Sequence, residues 1–553
     1  MAALAQPLAN VPGWGATLSR RAEVRFGREL PSVLRDDPYR LAELPGIGFK
    51  LADAAALHFG MGRRSLVRQA AAAVYVLAEA EQDGHTALPV AEFGVRVTEA
   101  LGEALRGCEF DERVTERDGL MSRTKTLHAE ERAAVLVKAM LSRPAPRDLP
   151  ILFNGLAEDQ VAALTAIQHA NIFCLLGSPG TGKTTLVRSL AESNPNVQIA
   201  YCAPTGKAAK RLEEATGQPA RTVHRLLEAG IDSRTGKFRF RRNASNRLSC
   251  GIVVCDEASM LDIWLFNALL EALADDCRLV LVGDIYQLPS VGPGRVLADL
   301  TKNGAVPNVE LTQLKRHDPD LLIAKNCAQI KAGLTPVIAN AAAKDFFFME
   351  VPGNDGSEMR IADLVVSLAA ERLPAKYGAD PNRDVVVLTA LRERGLLSAK
   401  HLNAQLRIRN NTESAQAFAP GDRVIQLSNN YDLDVMNGDI GTIVRSDGRN
   451  LVVRFDTPER LVTEDRPDAA LNLAHAWVLT VHKSQGSEWP WVVIPIHESQ
   501  GAMVPDRAWL YTAISRAKQG CVLVGSKGAM QAMIQRVRPQ MRWTRLANLL
   551  QRD

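Results

Sequence analysis

The run Gly177-Ser178-Pro179-Gly180-Thr181-Gly182-Lys183-Thr184-Thr185 narrows the folds open to this chain more than any other. An apolar, strand-like stretch precedes it (Ile172-Phe173-Cys174-Leu175-Leu176) and a helix-like stretch follows it (Leu186-Val187-Arg188-Ser189-Leu190). Strand, glycine loop, Lys-Thr and helix in that order are a phosphate-binding loop in its full context. The glycines let backbone N–H groups curl around a phosphate chain, and the helix N-terminus adds partial positive charge. In such a loop Lys183 reaches the β- and γ-phosphates and the Thr184 hydroxyl holds Mg²⁺. The alternative is a structural glycine turn; two correct flanks favour the nucleotide.

With 553 residues the chain exceeds one core, and its size suits three or four domains. Its composition, 46% apolar and 23% charged, is that of a globular protein, and no apolar run approaches the length of a membrane span. Met1 to Leu30 lacks a signal-peptide pattern. The eight cysteines show no C-x-x-C spacing, and Cys174, Cys202 and Cys255 fall in strand-like apolar runs, so buried free thiols and a reducing cytoplasm are expected. The net charge of +4 does not point to nucleic acid. Its distribution does: Ala203 to Ser249 holds eleven Lys/Arg against four Asp/Glu.

Four regions follow in order. Residues 1–64 contain one pattern twice: Val11-Pro12-Gly13-Trp14-Gly15 and Leu44-Pro45-Gly46-Ile47-Gly48, each followed by a helical run. Both are glycine turns between helices, similar to tandem helix-hairpin-helix motifs, whose exposed N–H groups suit a DNA backbone; the alternative is a packing hairpin. Residues 65–145 are a helical, winged-helix-like adaptor ending near Pro144-Ala145-Pro146. In 146–310 the continuous apolar strands Ile172–Leu176, Val197–Ala203, Ile252–Cys255 and Leu279–Val282 alternate with helices, which implies a parallel sheet covered on both faces. A second such set occupies 311–553, with strands at Val385–Thr389, Trp477–Val481, Trp491–Ile496 and Cys521–Gly525. Short strands with Asn-Gly and Gly-Asp turns make 396–473 an all-β insertion. Within 229–249, Lys237-Phe238-Arg239-Phe240-Arg241 alternates basic and aromatic residues at the period of a strand, so a β-hairpin is expected there.

Val254-Cys255-Asp256-Glu257 ends a strand in an acidic pair about 70 residues after the glycine loop. Asp256 suits Mg²⁺ and Glu257 suits polarising the attacking water. Gln287, after the strand Leu281-Val282-Gly283, is placed to sense the γ-phosphate. Pro204-Thr205-Gly206-Lys207 opens a helix after a strand, a phosphate cradle.

The ordered set GSPGTGKTT, APTGKAAKRL, DEAS, GDIYQLPS, Arg316, VHKSQGSEW and YTAISRAK resembles superfamily 1 helicases. It is most similar to the RecD-like branch that carries N-terminal helix-hairpin-helix repeats, and the resemblance runs from about Leu8 to Gly525. It implies an α/β architecture of two tandem RecA-like P-loop domains, the all-β insertion being a small Src-homology-3-type barrel. It implies a nucleotide site comprising the loop residues with Gln160 toward adenine and Glu488 near the sugar. Arg316 and Arg516 are implied to reach the γ-phosphate across the domain cleft, where guanidinium forks stabilise charge once the domains close. Thr222, His224, Thr480, His482 and Lys483 are implied DNA contacts, and Phe238 and Phe240 a strand-separating pin; a solvated basic hairpin is the alternative.

This chain departs from the family pattern at Ala474–Thr480, where a tyrosine is usual, and at His317, where a glutamine is frequent; its segment before the repeats is also short. The expectation is an ATP- and Mg²⁺-dependent helicase acting 5′ to 3′ on single-stranded DNA and at single-strand/duplex junctions. It is expected to be a monomeric motor, with DNA-processing proteins as partners and no membrane. The rival is a DNA-stimulated ATPase that serves as an assembly switch without separating strands.

Overall fold

A computed structural model describes residues 8, 10–44, 46–103, 112–144, 149–150, 155–231, 238–313, 321–339, 344–411, 417–430, 433, 435–447, 449–457, 459–500, 505–537 and 542–552. Arg316, His317, Lys237 and most of the Pro144-Ala145-Pro146 linker lie outside these residues.

Gly13 and Gly46 both take left-handed φ, +82° and +86°, which lets the chain reverse tightly before the helices Ala16–Phe26 and Phe49–His58. Each helix is N-capped by a glycine, Gly15 or Gly48, without a side-chain cap, so first-turn amides are left without an intrahelical acceptor. Arg68, on the helix Leu66–Gln82, donates to both carboxylate oxygens of buried Asp53 (2.8 and 2.9 Å) and ties the second repeat to the adaptor. The adaptor adds the helices Val90–Leu101 and Thr124–Ser142 and a small antiparallel sheet in the order Leu88–Pro89, Leu120–Arg123, Val114–Arg117.

The first α/β sheet has six parallel strands in the order Asn308–Leu311, Ile172–Gly177, Arg278–Gly283, Ile252–Cys255, Ile199–Ala203, Ala220–Thr222. Every residue of the interior strands Ile172–Gly177, Arg278–Gly283 and Ile252–Cys255 is buried, as apolar runs covered by helices on both faces require. The second sheet has five parallel strands in the order Phe346–Glu350, Ala517–Gly525, Trp489–Ile496, Val385–Thr389, Val478–Thr480. Between its strands Val385–Thr389 and Val478–Thr480 lies the all-β insertion. This five-stranded antiparallel sheet, in the order Glu459–Asp465, Asn450–Asp456, Ile440–Ser446, Arg423–Gln426, Leu473–His475, packs around Val424, Ile443, Val453 and Phe455. The fold is thus two RecA-like domains with a barrel insertion and a helical N-terminus.

One grouping differs. The last described residues, 542–552, do not pack with the second sheet, although 311–553 reads as one domain in sequence. Leu546 sits in the core shared by the first sheet and the adaptor helix Thr124–Ser142. Arg545, 2% exposed, donates to the carbonyls of Leu120 (2.6 Å) and Arg117 (3.2 Å), and the Trp543 carbonyl accepts from the Thr86 amide (2.9 Å). A short helix with one apolar side takes whatever core lies open to it, and here that core lies in the first half of the chain. No helix among the described residues is long and apolar enough to cross a membrane.

Candidate functional site

The buried strand Ile172–Gly177 runs into the Ser178-to-Gly182 turn, where Gly180 and Gly182 take φ of +84° and +86°. A Cβ on Gly177 would stand 2.6 Å from the Thr181 hydroxyl and 3.2 Å from the Leu311 carbonyl, so the loop tolerates only glycine there. Gly182 caps the helix Lys183–Ser193 without a side chain in the way, leaving the amides of Lys183, Thr184 and Thr185 to the concavity. Lys183 Nζ donates to the carbonyls of Gly177 (2.6 Å) and Ser178 (3.1 Å), folded back over the loop. Gln160, 1% exposed, is locked against the same loop: its Nε2 donates to the Gly182 carbonyl (3.3 Å) and its Oε1 accepts from the Ala157 amide (3.2 Å).

Opposite the loop, the strand Ile252–Cys255 delivers Asp256 and Glu257. The Glu257 amide donates to Asp256 Oδ1 (2.8 Å), and Glu257 itself is held in the left-handed region (φ +51°), uncommon for a residue with a side chain. Burial, with Glu257 adding to it, pushes the Asp256 carboxyl up to about 6, while Lys183 and Arg211 act the other way. Asp284, after the neighbouring strand Arg278–Gly283, is raised by burial in the same way and also feels Lys183. Among the described residues Asp256 makes no ion pair. A buried carboxylate in that state, beside free helix amides and a lysine, fits a divalent cation on a phosphate chain.

The second domain closes over this site. Arg516 is 2% exposed: its Nη2 donates to Gln287 Oε1, its Nε to the Thr512 carbonyl (3.3 Å) and its Nη1 to the Ser487 carbonyl (3.4 Å). The Tyr511 hydroxyl donates to Asp284 (2.6 Å), and the Leu288 amide donates to Thr512 Oγ1 (2.9 Å). Glu488 pairs with Arg211 of the first domain at 2.8 Å and with Lys518 at 3.4 Å.

The candidate DNA residues fall into two groups. Pro204 ends the strand Ile199–Ala203, and Thr205 caps the helix Gly206–Thr216 by accepting from the Ala208 amide (3.3 Å). The Lys207 ammonium lies over the Trp489 ring at 5.0 Å. A groove of about 330 Å³ brings together Thr205 and Lys207 from the first domain, His482, Lys483 and Gln485 from the second, and Asn437 and Gly438 from the barrel. Thr480 and Lys483 border an adjoining depression of about 230 Å³ with Arg392 and Lys400. Burial lowers the basicity of Lys207, His482 and Lys483. The second group is the hairpin of Ala229–Ile231 and Phe238–Phe240, antiparallel with Ile231 opposite Phe238. Phe238 and Phe240 meet edge to face at 5.3 Å, the His224 ring lies 5.8 Å from Phe240, and Phe238 is 61% exposed. Thr222 caps the short helix before the hairpin by accepting from the Arg225 amide (3.1 Å).

Sequence reasoning did not single out Arg392, Asn437, Gly438, Arg211 or Tyr511. Asn437-Gly438 stood out only as a turn, and Arg392 follows a strand end without any recognisable pattern.

A phosphate loop facing buried carboxylates, closed by an arginine from a second RecA-like domain and flanked by a basic groove, defines a nucleotide-driven motor. Family models match in chain order: the ATP-dependent RecD2 DNA helicase HHH domain (residues 9–87), an AAA domain (160–293), the ATP-dependent RecD-like DNA helicase SH3 domain (399–455) and the UvrD-like helicase C-terminal domain (475–524). The chain is 34% identical to the ATP-dependent RecD2 DNA helicase of Deinococcus radiodurans, an alignment covering 96% of this chain and 76% of that protein. It is 32% identical to the RecBCD enzyme subunit RecD of Mycolicibacterium smegmatis over 70% of this chain and 74% of that one. A crystal structure of Pif1 helicase from Bacteroides with ADP-AlF3 and single-stranded DNA aligns at 18% identity and a TM-score of 0.44, covering 70% of this chain and 96% of that one. The chain belongs to the RecD2 family of ATP-dependent DNA helicases.

Proposed function

We propose that this helicase moves 5′ to 3′ along single-stranded DNA and opens duplex at a junction, using Phe238 and Phe240 as the wedge. The observation that carries this reading is the shared groove, where Thr205 and Lys207 of one domain and His482 and Lys483 of the other line a single track. Two grips on one strand, joined through a cleft that nucleotide closes, step along it when their spacing changes. The 5′-to-3′ sense rests on family membership.

In this reading the amides and side chains of the Gly177-to-Thr185 loop hold the triphosphate, Gln160 reads the adenine and Glu488 acts on the sugar side. Mg²⁺ would be held by Thr184 and Asp256, and it supplies neutralising charge to the phosphate oxygens. Glu257 orients the attacking water, and Gln287, Arg516 and Arg316 sense or stabilise the γ-phosphate. Seven buried free cysteines among the described residues suit a reducing compartment, the cytoplasm. The motor acts as a monomer, and DNA-processing proteins are its partners.

The test is strand separation on duplexes with only a 5′ or only a 3′ single-stranded tail. Opening of the 5′-tailed substrate alone is expected; opening of the 3′-tailed one alone overturns the polarity. Hydrolysis stimulated by DNA with neither substrate opened overturns the autonomous helicase.

The hairpin carries its own prediction. Replacing both Phe238 and Phe240 by alanine removes stacking of about 1–3 kcal/mol per base. Unwinding is expected to fall by about tenfold or more while hydrolysis on single-stranded DNA stays near its original rate. Unwinding at the original rate removes the wedge assignment.

A further inference from the structure

Between the DNA groove and the nucleotide site runs one helix, Gly206–Thr216. Its N-terminus, capped by Thr205, and its first-turn residue Lys207 border the groove. One turn further on, at i+4 and so on the same face, stands Arg211. Arg211 Nη2 donates to Glu488 of the second domain at 2.8 Å, and its charge also acts on Glu257 and Asp256. The same helix touches the second domain twice more. Lys207 lies over the Trp489 ring, and a Cβ on Gly486 would come within 3.1 Å of the Thr205 hydroxyl and 3.3 Å of the Ala208 Cβ. The segment Gly486-to-Trp489 begins three residues after Lys483, which with His482 lines the second domain's side of the groove.

We propose that Arg211 is a positioning residue that carries DNA occupancy to the hydrolysis site, through a cross-domain latch with Glu488. The proposal rests on the reading of the groove as the DNA track. A helix moves as a rigid rod over one turn, about 6 Å. A phosphate drawing Lys207 toward the groove therefore shifts Arg211 relative to Glu488 and the acidic pair. The pair Arg211–Glu488 is part-exposed, with side-chain exposures of 39% and 19%, so it is weak enough to break and re-form in each cycle. Asp256 and Glu257 make no ion pair among the described residues, so a change in the position of Arg211 alters the field in which the water and γ-phosphate react.

The experiment is steady-state ATP hydrolysis by the full chain, with and without saturating oligothymidine, for wild type, Arg211→Gln, Arg211→Ala and Arg211→Lys. Wild type is expected to be stimulated by the oligonucleotide. In Arg211→Gln the stimulation ratio is expected to drop by about five- to a hundredfold, the range of a site–site coupling, mainly in kcat and less in the KM for ATP. Arg211→Lys recovers part of the ratio. Melting temperatures show that each variant is folded, and Arg211→Ala serves if the glutamine is not. A wild-type ratio in Arg211→Gln, or an equal fall with and without DNA, overturns the proposal and leaves the DNA track standing. Absence of stimulation in wild type overturns the track and the latch with it.

Discussion

Replacing Lys183 by alanine is expected to lower ATP turnover by a factor on the order of 10²–10³ or more, the usual loss when one preorganised charge on a reacting group is removed. The Lys183 ammonium is anchored on the Gly177 and Ser178 carbonyls, so its charge is in place before a phosphate arrives. It also faces Asp256 and Asp284, and its removal lets burial push both carboxyls further up. A folded-state pKa above the unfolded value means that the folded chain holds those protons over a wider pH range, so stability present at low pH is lost as pH rises from the unfolded value through the folded one, and the variant loses more of it than wild type. Phosphate release at saturating oligothymidine measures the first effect and a melting curve across pH the second. DNA affinity, followed by fluorescence anisotropy, is expected to hold, because Thr205, Lys207, His482 and Lys483 lie in a separate groove. Turnover within tenfold of wild type removes Lys183 from the site.

What could be read from sequence was what depends on neighbours along the chain. The glycine loop between a buried strand and a helix is local, and so is the Phe238–Phe240 alternation that builds the hairpin. The Gly13 and Gly46 turns announced themselves because only glycine adopts their left-handed backbone without cost. Strands with a mixed character were missed: Asn308–Leu311 and Ala220–Thr222 sit at sheet edges and never form an apolar run. Contacts between distant residues left no trace. Arg211 meets Glu488, Tyr511 meets Asp284 and Thr86 meets Trp543 across separations of 277, 227 and 457 residues. Nothing periodic or punctuated marks either partner, since each bond is decided by how the two domains and the C-terminal residues dock. The same holds for the groove, which takes Asn437 and Gly438 from a barrel whose sequence signals only its turns.

Arg516 gives the second large expectation. Its guanidinium is buried, and every acceptor it has in this structure is neutral: Gln287 Oε1 and the carbonyls of Thr512 and Ser487. It makes no ion pair among the described residues. A buried cation without a carboxylate is expensive unless something else answers its charge. The Glu488 carboxylate feels that charge without pairing with it, and in the proposed reading a γ-phosphate entering between Arg516 and the loop of the first domain would answer it directly. Arg516→Ala is therefore expected to reduce turnover by about 10³-fold, within the range for an arginine placed on a transferring phosphoryl group, with a smaller loss of ATP affinity. Arg516→Lys should recover little, because an ammonium cannot keep the forked contacts to Gln287 and the two carbonyls while meeting a phosphate. Truncation also leaves Gln287 Oε1 and the Ser487 carbonyl short of a donor, at about 1–3 kcal/mol for each group left buried and unsatisfied, whereas the Thr512 carbonyl keeps the Ser515 hydroxyl (2.8 Å). Melting temperature and single-turnover hydrolysis are therefore measured together. A folded Arg516→Ala variant within tenfold of wild type would mean that the arginine only braces the domain interface, and the charge developing in the cleft would then have to be met without it.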